Sequence, residues 1–83
     1  MYEWLEAHAA RLSEGVADDP ALYRFAEGEI DAILDLAGFA AHEGGHKTNA
    51  PLLCYLVGFA RARHPELDLA QVIDAATGSA VGR

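Results

Sequence analysis

The chain has 83 residues, with 13 acidic against 6 basic side chains, and a formal net charge of −7. That is one small domain, 1–83, with no room for a second core. The charge argues against an extended nucleic-acid contact or an anionic membrane surface, both of which need clustered cations. Hydrophobic residues make up 52% and charged residues 23%, a globular balance rather than a disordered one. Every apolar run is interrupted before the roughly 20 residues of a membrane span. The opening Met-Tyr-Glu-Trp-Leu-Glu is acidic, unlike a secretory signal. The single Cys forms no internal disulfide, and we expect a cytoplasmic protein.

The first predicted helix runs from about Tyr2 to Glu14. Trp4, Leu5, His8, Ala9 and Leu12 share one stripe, while Glu3, Glu6, Ala10 and Ser13 take the other side. Gly15 is the expected stop. Asp19 then caps and Pro20 starts a short helix or turn over Ala21 to Ala26, with Leu22 and Phe25 facing inward.

The spacing predicts the strongest helix over Glu29 to Glu43. Its main stripe is Ile30, Ile33, Leu34, Ala37 and Ala41, widened by Leu36 and Ala40, and Gly44-Gly45 ends it. Gly38 and Gly58 read as places where backbones approach closely. The next helix starts near Asn49 to Pro51, capped by Thr48 or Asn49. It ends near Arg63, because Pro65 disfavours helical geometry at His64. Leu52, Leu53, Leu56, Val57, Phe59 and Ala60 cover more than half its circumference. Asp68 caps a last helix over Leu69 to Thr77, with Gln71 completing a capping box and Leu69, Val72, Ile73 and Ala76 as its apolar face. Gly78 to Arg83 reads as a frayed tail. The expected fold is all-α: four main helices, the second and third forming a central antiparallel hairpin.

The most unusual local sequence is Ala41-His42-Glu43-Gly44-Gly45-His46-Lys47-Thr48-Asn49-Ala50-Pro51. His42 and His46 have the i, i+4 spacing of two metal ligands on one helix face, but the two glycines between them break that helix. Glu43, Cys54 and His64 are the nearest further ligands, and none has a standard zinc spacing, so no metal and no other cofactor is assigned. The same loop also has the parts of an anion site: Lys47, donors on His42, His46, Thr48 and Asn49, and the N-terminus of the following helix. Its plain alternative is a polar connection between helices. Cys54 reads as a packed side chain, and Asp31 with Asp35 as a solvated face. No P-loop, dinucleotide glycine pattern or Ser-His-Asp arrangement is present, and we expect no catalysis by this chain alone.

Leu34-Asp35-Leu36-Ala37, Ala41-His42, Ala50-Pro51-Leu52 and Leu56-Val57-Gly58, with Trp4 near the start, resemble a small actinobacterial domain family of unassigned function. The likeness spans about Ile33 to Ala60. Members of that family occur free-standing or attached to the molybdenum-cofactor guanylyltransferase that makes molybdopterin guanine dinucleotide. Two stretches depart from its pattern: Lys47 stands where an Arg before the Ala-Pro is expected, and Asp18 to Gly28 is longer than usual. The resemblance implies an accessory or protein-interaction module associated with molybdenum-cofactor biosynthesis and carries over no catalytic residue. The alternative is a small anion-, nucleotide- or metal-binding protein using the His42 to Asn49 loop. Helices this broadly apolar in so short a chain must be covered by its remainder or by another molecule, so we also expect a homodimer or docking on a larger enzyme. Trp4, His8, Phe39 and Tyr55 are the expected interface residues.

Overall fold

The computed structural model describes residues 1–78. Four α-helices follow in order: α1 (Glu3–Gly15), α2 (Glu29–Glu43), α3 (Asn49–Arg63) and α4 (Leu69–Thr77), with a 3-10 helix at Pro20–Tyr23 between the first two. The described residues contain no strand. The α2–α3 pair is the most extensively packed, and α4 closes over both. Most of the expected tail, residues 79–83, lies outside the described residues. Gly78 itself takes a left-handed conformation at the end of α4.

Local chemistry sets the boundaries. The Asp68 carboxylate accepts from Gln71 N–H at 2.8 Å while the Gln71 side chain accepts from Asp68 N–H at 2.9 Å. This box satisfies two donors at the start of α4. The Asp19 carboxylate caps the 3-10 helix by accepting from Ala21 N–H. His64, ahead of Pro65, leaves helical geometry as expected.

The end of α1 differs from expectation. Ala17, not Gly15, takes the left-handed conformation, at φ 61°. Asp18 N–H donates to Ser13 O and Ala17 N–H to Glu14 O. These are the two bonds of a Schellman motif, with an alanine where glycine is usual. The start of α3 differs too. Thr48 precedes the helix without capping it, because its hydroxyl turns back to His46.

The core is small and lies among α2, α3 and α4. Leu36, Val57, Leu69 and Val72 are buried together, with Ile33, Leu53, Cys54, Ala60, Leu67 and Ile73 packed against them. Leu36 and Ala40 are the buried centre of α2, and Leu34, expected on the main stripe, is exposed. Gly38 and Gly58 do not mediate close approach: a methyl group at either would meet nothing within 4 Å.

Helix α1 packs on the 3-10 helix and not on the α2–α4 body. Its only buried residue is Ser13, expected on the outer side, whose hydroxyl donates to Ala10 O at 2.8 Å. The apolar stripe is covered only in part: His8 and Ala9 are half-buried, while Trp4 is 72% and Leu12 53% exposed. Leu22 and Phe25, expected inward, are exposed as well. The 3-10 helix is a single short turn ending at Tyr23, and α1 packs on it without burying any of its residues.

Candidate functional site

Two regions carry the candidate residues. The first is the joint between α2 and α3. Gly44 is where the chain leaves α2, and its N–H donates to Ala40 O. A side chain here would collide with the Asn49 amide and the Ala40 carbonyl, so glycine is required by space. His42 is exposed in the last turn of α2, and His46 lies beyond the end of that helix. His46 Nδ1 is engaged by its own loop, accepting from Thr48 N–H at 3.2 Å, with the Thr48 hydroxyl at 2.7 Å. Asn49 N–H donates to His46 O, and Ala50 N–H to Lys47 O. Pro51 has no N–H. The backbone donors of the first turn, from Thr48 to Ala50, are thus engaged within the chain. Lys47 is exposed and makes no ion pair among the described residues. No group of three or more His, Cys, Asp or Glu side chains converges on a metal position among the described residues.

The second region is an uncovered apolar surface. On α3 the residues Leu52, Tyr55, Leu56 and Phe59 follow one another at helical spacing and are 62%, 73%, 58% and 54% exposed. Sequence spacing already marked α3 as apolar over more than half its circumference. The structure adds that only the side with Leu53, Cys54, Val57 and Ala60 is used by the core. Arg63 closes the stripe at the C-terminal end, its guanidinium carbon 5.7 Å from the Phe59 ring centroid. Arg61 turns instead to Glu29, at 3.5 Å.

Between α1 and the α2–α4 body lies a groove of about 450 Å³. Leu5 and Leu12 line it from α1, Leu22 and Phe25 from the turn, Ile33 from α2 and Leu69 from α4. Trp4 and His8 stack with ring centroids 3.8 Å apart, and His8 Nδ1 lies 2.8 Å from Trp4 O. The four expected interface residues therefore sit on three helices: Trp4 and His8 together on α1, Phe39 on α2, Tyr55 on α3. Leu52, Leu56 and Phe59 share the exposed stripe of Tyr55, and the apolar breadth of α3 in the sequence was the signal for that stripe.

Cys54 is half-buried, its Sγ 4.0 Å from Ile33 O, and burial pushes its thiol up from the ordinary value. That favours a protonated, packed side chain over a nucleophile. Asp31 and Asp35 are exposed on α2, as a solvated face requires.

No helix among the described residues is long and apolar enough to cross a membrane. No curated protein and no solved structure matches the chain. The family described as Domain of unknown function (DUF6457) matches residues 1–83. A small α-helical domain matched along its whole length, this chain belongs to that family.

Proposed function

We propose that this chain is a non-catalytic interaction module of molybdenum-cofactor biosynthesis, acting in the cytoplasm beside the guanylyltransferase that makes molybdopterin guanine dinucleotide. The observation that supports docking as its mode of action is the apolar surface left open on α1 and α3. The largest apolar patch on a monomeric domain, about 300–600 Å², is often its interaction site. The link to this enzyme comes from the Leu34 to Gly58 pattern, which resembles domains attached to it. The loop reading, an anion or metal held by His42, His46, Lys47, Thr48 and Asn49, has less support, because the first-turn N–H donors and His46 Nδ1 are already bonded.

The test is capture of the guanylyltransferase from the same organism by the tagged chain, with an unrelated acidic helical protein as control. Stoichiometric capture, or a changed rate of guanylyl transfer on adding the chain, is expected. No capture together with an unchanged rate would refute the reading. Calorimetric heat with inorganic phosphate or zinc, abolished by Lys47→Ala or His46→Ala respectively, would move the function to the loop.

A further inference from the structure

The open face of α3 has a charge as well as a shape. From Gly44 to Pro65 the chain contains no Asp or Glu, in a molecule of net charge −7; Arg61 is paired with Glu29, and Arg63 stands at the end of the open stripe over Phe59. Arg63 has no acidic partner among the described residues. Its natural complement is an amphipathic helix of net negative charge, and the chain has one. Helix α1 exposes Trp4, Leu5 and Leu12 and carries Glu3, Glu6 and Glu14 against the single cation Arg11. Glu6 and Glu14 make no ion pair among the described residues. Helix α1 is also not packed on the α2–α4 body of its own chain.

We propose that the α3 face is covered by α1 of a second copy, each copy giving its α1 to the other's α3 around a two-fold axis. Area and charge together select this occupant. Four large side chains exposed by more than half supply about 400–500 Å² on α3, given roughly 150–250 Å² for a whole aromatic side chain. A stable interface takes about 800 Å² from each partner. The α3 stripe alone falls short. The reciprocal arrangement adds the exposed residues of α1 on both copies and reaches it. Packing α3 on α3 would bury the same stripe, but it would leave Arg63 of each copy facing a helix with no acid to pair with. The inference rests on the interaction-module reading for the premise that this surface is covered in use.

The experiment uses the full chain. Light scattering and sedimentation from micromolar to millimolar concentration should give a dimer. Emission of Trp4, the single tryptophan, should shift to the blue as the dimer forms. Phe59→Glu and Trp4→Ala should each weaken association at least tenfold while leaving the helical circular dichroism intact, since both side chains are exposed within the monomer. An equimolar mixture of the two variants should associate more tightly than either alone, because one intact α1-on-α3 contact forms only in the mixed dimer. A monomer at every concentration overturns the proposal, whatever the guanylyltransferase capture gives. A dimer in which Trp4 emission is unmoved, or in which the variants fail to complement, overturns the α1-on-α3 arrangement. Loss of capture with the dimer intact leaves it standing.

Discussion

Ala17→Gly should stabilise the protein, although glycine is ordinarily the less stable residue. Ala17 sits at φ 61°, after α1 and before the turn that returns to the 3-10 helix. An L-residue in the left-handed region costs about 1–2 kcal/mol. Glycine removes that cost but gives up about 0.5–1 kcal/mol through its greater freedom in the unfolded chain. The two Schellman bonds, from Asp18 N–H to Ser13 O at 2.8 Å and from Ala17 N–H to Glu14 O at 3.2 Å, are backbone bonds that survive the change. The expected net gain is about 0.5–1 kcal/mol, or roughly 2–8 °C in Tm for a chain of this size. The control is Ala7→Gly in the interior of α1, where the same chemical change should cost about 1 kcal/mol. Denaturant unfolding should be followed by circular dichroism and by Trp4 emission in parallel. Trp4 stacks on His8 within α1, so its signal reports the helix that the substitution touches. If both glycine variants lower the midpoint, Ala17 is not held in the left-handed conformation and the reasoning about the end of α1 fails.

Other outcomes follow from the same structure. Leu36→Ala removes the most buried apolar side chain, 2% exposed between Val57, Leu69 and Val72, and should cost about 2–5 kcal/mol in chemical denaturation. That is a large share of the roughly 4–12 kcal/mol that a domain of this length has in total. Asp68→Ala breaks the capping box and should cost about 1 kcal/mol, with Asp68→Asn retaining most of the stability. The Tyr23 hydroxyl donates to Asp18 at 2.6 Å, and that bond raises its pKa above the ordinary value of 10.0. The bond needs the protonated phenol, so its contribution is complete below pH 10 and is lost as pH rises through the higher folded value. In an alkaline titration at the phenolate absorbance, one of the three tyrosines should therefore ionise late, and Tyr23→Phe should remove that late step.

Several helix ends were legible in the sequence because a cap, a proline or a glycine within one turn sets them. Asp68 with Gln71, Pro65 after His64, and the Gly44-Gly45 pair each act on backbone groups a few residues away, and the spans of α2, α3 and α4 follow from them. The width of the α3 stripe was legible for the same reason: apolar spacing is a property of one helix. Whether that stripe is covered is not. Leu36 rather than Leu34 became the centre of α2, and Ser13 rather than Trp4 the buried residue of α1, because burial depends on which element lies opposite. Leu22 and Phe25 stay exposed because they line an open groove between α1 and the α2–α4 body, a fact about neighbours rather than about their own sequence. The left-handed Ala17 likewise answers to the path that brings the chain back over Ser13. In the α2–α3 loop the residue types suited to an anion were plain from the sequence. The hydrogen bonds that already occupy Thr48, Asn49, Ala50 and His46 appear only once the loop has closed on itself, since a donor's availability depends on the acceptors that folding places beside it.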